Sequence, residues 1–136
     1  MFGCLVNDEL IVDFNNSRLI RIQTNKAEKS FLIGAVMVSD SVINLLRFIL
    51  VDVDEETVVS KELILNNLWD KDFNSSSTQK LWMVMKELKQ KLNAIGIQNE
   101  LIVKVSHSQY KKADVSIRGL FFNDRRSMIS SLNGKK

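Results

Sequence analysis

The sequence predicts an α+β domain in which a small antiparallel sheet is followed by three helices and a β-hairpin. Three patterns carry that expectation. β-rich runs broken by turn-formers fill the first 38 residues. Apolar residues recur at helical spacing from Val42 to Ile95. Two more β-rich runs then flank a basic stretch. With 136 residues, 45% of them hydrophobic, the chain is long enough to bury one core.

Taken in order, Leu5-Val6, Leu10 to Val12 and Leu19 to Ile22 read as strands, separated by turn-formers at Asn7-Asp8 and Asn15 to Ser17. Phe31 to Ile33 and Val36 to Val38 follow, divided by Gly34. Ser39-Asp40 supplies N-cap residues for a first helix of about 12 residues, with Val42, Leu45, Leu46, Ile49 and Leu50 on one face. The acids from Asp52 to Glu56 form a charged connection. A calcium loop opening at Asp52 would need glycine at Thr57 and glutamate at Leu63, so that chemistry is excluded. Ser60 caps a second helix expected to bury Leu63, Ile64, Leu68 and Trp69. Residues 70–77 read as a polar loop. The third helix runs from about Ser77 to Ala94, burying Leu81, Val84, Met85, Leu88, Leu92 and Ile95, with Gly96 as its stop signal. Leu101 to Val105 and Val115 to Phe122 are expected to flank a hairpin tip near Tyr110 to Asp114. The resulting organisation is 1–38 as the N-terminal sheet, 39–122 as helices and hairpin of the same domain, and 123–136 as a flexible tail or linker.

Composition excludes several classes of function. His107 is the sole histidine and Cys4 the sole cysteine, so the chain has no pair of imidazoles for a metal and no intrachain disulfide. Both read more simply as a polar hairpin residue and a small core hydrophobe. The five glycines are scattered, with no phosphate-cradling loop. No enzyme, cofactor or metal is expected. No apolar run reaches membrane-spanning length and the N-terminus lacks a signal-peptide layout, so a cytoplasmic location is expected. The charge is polarised along the chain. Residues 1–72 carry 7 Lys/Arg against 12 Asp/Glu, whereas 73–136 carry 12 against 4. A basic face suited to a polyanion is the natural reading.

That basic half contains the third helix, whose outward positions are Gln79, Met83, Lys86 and Gln90, with Trp82 and Lys89 on one flank. An exposed polar and basic helix beside a basic hairpin suits a DNA major groove, where side chains reach base edges and lysines neutralise phosphates. Residues from Ser39 to Leu92 also resemble the winged helix-turn-helix domain of OmpR/PhoB-type regulators, in particular the membrane-anchored ToxR/CadC-like branch. The most specific stretch is Val58 to Trp69, Val-Val-Ser-Lys-Glu-Leu-Ile-Leu-Asn-Asn-Leu-Trp. Thr78 to Leu92 resembles the recognition helix, and Ile102 to Val105 with Tyr110 resembles the wing.

The resemblance implies double-stranded DNA as partner, with Gln79, Lys80, Trp82, Met83, Lys86 and Lys89 on the recognition helix and Lys111 and Lys112 on the wing. It also implies that loop 70–77 is available to RNA polymerase. No receiver domain precedes the helices, which disfavours an intact phosphorylation-driven regulator. A ToxR-like protein would reach the membrane only through a segment not present in this chain. The recognition face departs from the family in lacking arginine and in carrying Glu87, and the wing has His107 and Gln109 where glycines are usual. With Trp82 and Met83 exposed, these departures admit a second reading, a winged-helix interaction module forming a homodimer or binding a co-regulator, with weak or no specific DNA binding.

Overall fold

Left-handed turns fold the N-terminal residues back on themselves. Asn7 and Asp8 adopt φ of 52° and 57°, and the Glu9 N–H donates to Val6 O at 3.0 Å. This turn matches the twist of a tight hairpin. It joins β1 (Gly3–Val6) to β2 (Leu10–Asp13), followed antiparallel by β3 (Arg18–Thr24) and β4 (Ser30–Met37). This computed structural model describes residues 1–25, 27, 29–68 and 75–122, without the side chains of 75–77. Trp69, most of the 70–77 loop and the 123–136 tail therefore lie outside the described residues.

The β2–β3 turn is held by a buried carboxylate. Asp13 accepts from the Asn16 N–H at 3.1 Å, Asn16 Nδ2 at 3.0 Å and Arg18 Nε at 2.8 Å. Burial pushes this carboxyl up, but the hydrogen bonds and the Arg18 charge outweigh it and hold the pKa below the ordinary carboxylate value.

The two runs expected on either side of Gly34 are one strand. Arg21 pairs with Gly34 and Ile22 with Leu32, so Ile33 is the extra residue of a bulge. Gly34 interrupts the apolar run but not the strand, which is why the sequence reads as two short strands. A larger correction concerns Val115 to Phe122. Its core, β8 (Ile117–Leu120), leaves the hairpin and pairs antiparallel with β1, giving the order β4-β3-β2-β1-β8. Gly119 lies opposite Cys4 and Ile117 opposite Val6, so the strand continues an apolar face begun more than a hundred residues earlier. The hairpin is accordingly shorter than expected. It comprises β6 (Ile102–Ser106) and β7 (Gln109–Lys112), with the tip at His107-Ser108 rather than Tyr110 to Asp114. A two-residue strand that sequence reading missed, β5 (Val59–Ser60), pairs with β7 to give a second sheet, β5-β7-β6.

Helix α1 (Asp40–Arg47) starts as expected, Ser39 Oγ accepting the Val42 N–H at 3.3 Å. It continues through a π-helical turn, Phe48–Asp52, in which the Val53 N–H reaches Phe48 O at 3.1 Å. Ser60 Oγ caps α2 (Lys61–Leu68) through the Leu63 N–H at 3.1 Å. Leu63, expected inside, is exposed, and Leu65 is buried with Ile64 in its place. The inward stripe of α2 is rotated by one residue relative to the apolar count, since three of its leucines and isoleucines are consecutive and only packing chooses among them.

Helix α3 (Ser75–Ala94) begins two residues before the expected start. Leu81, Val84, Leu88, Leu92 and Ile95 are buried, and Met85 packs against them. They join Cys4, Val6, Leu10, Val12 and Leu19 of the sheet and Val42, Leu45 and Leu46 of α1 in one core. The helix ends in a Schellman motif. The Ile97 N–H donates to Leu92 O at 2.9 Å and the Gly96 N–H to Asn93 O at 3.0 Å, with Gly96 at φ +82°. A side chain at Gly96 would also run into the Arg21 guanidinium, which donates to Ile95 O at 3.1 Å.

Two outcomes follow. Asp13→Asn is expected to lower unfolding free energy by about 1–3 kcal/mol at pH 7, the scale for hydrogen bonds to a buried charged group. The folded pKa is depressed, so this difference is present above the ordinary aspartate pKa and shrinks as pH falls below about 3.9. Urea titrations across pH 2–7 test it. Cys4 is fully buried, and burial, partly offset by the charge of Lys112, raises its thiol pKa to about 11. A thiol reagent at pH 8 is expected to label it only on unfolding, and labelling as fast as free cysteine would contradict the packing.

Candidate nucleic-acid interface

The seating of α3 decides which of its side chains meet solvent. With the Leu81–Ile95 stripe inward, Gln79, Met83, Lys86 and Gln90 fall on the opposite line and all are exposed. Trp82 and Lys89 occupy the flank toward the β6–β7 hairpin, both exposed. Lys80 is exposed on the other flank, about two turns before Glu87. Gln79, Trp82, Met83, Lys86 and Lys89 therefore share one exposed surface, and Lys80 is exposed at its far edge, on the Glu87 side. The Lys86 ammonium stands 5.0 Å from the centroid of the Trp82 ring, a cation–π pair that narrows the range of both side chains.

Glu87 does not belong to that surface. Its two carboxylate oxygens accept from the Ser39 N–H and Ser39 Oγ, both at 2.8 Å. It thus locks α3 to the start of α1, and its acidity faces the helix junction rather than the exposed line. The sequence had offered no partner for it, because Ser39 lies 48 residues away.

The hairpin is set beside α3 by short backbone links. β5 pairs with β7, and the Lys61 N–H donates to Ser108 O at 2.8 Å. Ser106 Oγ donates to Gln109 Oε1 at 3.0 Å across the tip. Lys111 and Lys112 lie away from the tip. Lys111 is on the face opposite Tyr110 and stands 3.8 Å from Glu56. Lys112 pairs with the buried Ile102 at the base of the hairpin, close enough to Cys4 for its charge to act on the thiol. Among the described residues, the cations that line the groove beside α3 are instead Lys104, on the Tyr110 face of the hairpin, and Lys61, at the start of α2. Sequence reading did not single out either one. The alternation Ile102-Val103-Lys104 held the signal for Lys104, once the tip is placed at His107-Ser108.

Between α3 and the hairpin runs a groove of about 610 Å³, bordered by Lys61, Trp82, Lys89, Lys104, His107 and Tyr110. Burial raises the Tyr110 phenol above its ordinary pKa, so the ring is neutral and packs as an apolar wall. The arrangement offers an exposed helix face, a projecting hairpin and a cationic channel between them.

A family model described as "Transcriptional regulatory protein, C terminal" matches residues 36–111, more than half of the chain. The match runs from the end of β4 through the three helices to β7. No curated protein matches the chain.

Glu87→Ala removes two charge-assisted bonds from the α1–α3 junction. It is expected to destabilise the fold by about 1–3 kcal/mol, read by chemical denaturation. An unchanged midpoint would mean that the junction holds without it.

Proposed function

We propose, for a chain that belongs to the family of transcriptional regulatory protein C-terminal domains, that α3 enters the major groove of duplex DNA while the β6–β7 hairpin follows the adjacent backbone. The domain is the DNA-binding part of a transcriptional regulator, in a family that is not enzymatic. One observation carries the finer reading. Among the described residues, the outward line of α3 is not packed into the core and presents Gln79, Met83, Lys86 and Gln90 together.

Each has a matching groove chemistry. Glutamine suits the N6/N7 edge of adenine and an apolar methionine suits the thymine methyl, while Lys86 neutralises a phosphate at the groove edge. Lys80, Lys89 and Lys104 supply phosphate contacts, with Trp82 holding Lys86 in place. Lys111 and Lys112 act at longer range, from the base of the hairpin. Two glutamines and a methionine favour sites rich in A·T pairs over a G-rich one. Residues 70–77, the last three of which open α3, remain the segment proposed for RNA polymerase, and a homodimer is proposed through exposed Trp82.

The ToxR/CadC-like branch is our finer assignment, supported by the Val58 to Trp69 pattern. Among the described residues no helix is long and apolar enough to cross a membrane, so an anchor would belong to another segment. Binding to DNA supports a cytoplasmic placement. The engagement of Glu87 with Ser39 removes one reason for preferring a pure interaction module.

Fluorescence anisotropy with an A·T-rich duplex at several salt concentrations tests this reading. Lys86→Ala is expected to weaken binding and to reduce the slope of log affinity against log salt by about 0.9, the value for one lost phosphate contact. An unchanged slope together with unchanged affinity would sink the assignment of α3 as the reading helix.

A further inference from the structure

The channel between α3 and the hairpin is larger and greasier than phosphate contact requires. Its volume of about 610 Å³ falls in the range of sites for drug-sized molecules, roughly 300–1,000 Å³. The floor is core: Leu81, Leu88 and Leu101 line it and are 2%, 5% and 2% exposed. Trp82, Met85 and Tyr110 form its walls. Lys61, Lys89 and Lys104 also line it, against Glu100 as the single carboxylate among the lining residues.

These features select one class of occupant. A hydrocarbon would waste three cations, and a free phosphate would leave the apolar floor wet. A sugar–phosphate strand crossing the mouth would satisfy the lysines without filling the floor. A molecule with an apolar body and one anionic head satisfies both parts. We propose that this groove binds a small, free amphipathic anion, an aromatic or aliphatic carboxylate or sulfonate, and that its occupancy excludes DNA from the α3–hairpin surface. The binding site stands independently of the DNA reading, and only the competition rests on it. The body lies on Leu81, Met85 and Leu88 between the two aromatic rings, with the head at Lys104. Since Trp82 lines the groove and also carries Lys86, a bound molecule disturbs the reading face as well as the hairpin contact.

The probe is 1-anilinonaphthalene-8-sulfonate, compared with its uncharged analogue N-phenyl-1-naphthylamine, titrated into the full chain without DNA. Saturable binding of the sulfonate is expected. Lys104→Glu, an exposed rim change that leaves the core intact, should weaken it by roughly fivefold or more, as should removal of the sulfonate, the scale of one charge-assisted contact. Met85→Glu should act in the same direction, whereas Leu32→Lys, on the exposed β4, should leave binding unchanged. Absence of saturable binding overturns the site, as does equal binding by wild type and Lys104→Glu, or loss of the signal in Leu32→Lys. Equal affinity for the uncharged analogue overturns the anion preference. A second titration follows displacement of a labelled duplex. Dye bound in the groove with duplex affinity unchanged overturns the competition, whereas dye binding by a chain that binds no duplex refutes the DNA reading and leaves the site standing.

Discussion

The roll of α3 about its own axis is the constraint on which the rest of the molecule depends. A helix turns by about 100° per residue, so a slip of one position would exchange Met83 for Val84 on the outward line and bury a lysine. Five buried apolar side chains, Leu81, Val84, Leu88, Leu92 and Ile95, oppose that slip. Each is worth about 1.5–3 kcal/mol in burial, more than any surface contact could recover. Two polar anchors then fix what apolar packing leaves loose. Glu87 ties the middle of α3 to the cap of α1, and Arg21 ties its C-terminal carbonyl to β3. The second anchor also places a cation at the negative end of the helix dipole.

The N-terminal sheet matters to function through these anchors. It carries no residue of the exposed face, yet its inner surface is the wall against which α1 and α3 pack. β8 widens that wall after the chain has passed through the hairpin, and Ala113 N–H to Leu101 O at 2.9 Å closes the base of the hairpin on the way. The start and the end of the described chain thus meet in one sheet, and the hairpin is held between two fixed points. Its own tip can stay polar and short, because β5 and the Lys61–Ser108 bond support it from the side.

What was legible in the sequence was whatever depends on local periodicity or on a single residue's backbone preference. The cap at Ser39, the cap at Ser60, the stop at Gly96 and the turn at Asn7-Asp8 all follow from short-range chemistry, and so does the buried stripe of α3. What was not legible depends on partners distant in the chain. β8 reads as a hairpin strand until β1 is known to have an open edge. Glu87 reads as a stray acid on a basic face until Ser39 is brought beside it. Leu63 and Leu65 cannot be ranked by hydrophobicity, since only the direction from which α1 and the hairpin approach separates them. The candidate site divides the same way. The exposed α3 positions came from the wheel, while Lys61 and Lys104 required knowing where the hairpin turns.

A face built from lysine instead of arginine has a physical consequence. Lysine is a strongly hydrated point charge without the planar fork that reads guanine through two bonds. It attracts phosphate well but discriminates sequence poorly, so in the proposed complex affinity and specificity come from different residues, charge from Lys80, Lys86, Lys89 and Lys104 and base identity from Gln79, Met83 and Gln90. The Lys86–Trp82 stack softens the division, because an ammonium held over a ring gives up less freedom on binding than one swinging in water. The same ring forms a wall of the groove. One side chain therefore joins the charge-bearing line of the helix to the apolar channel beside it, and any change in how that ring sits is felt on both.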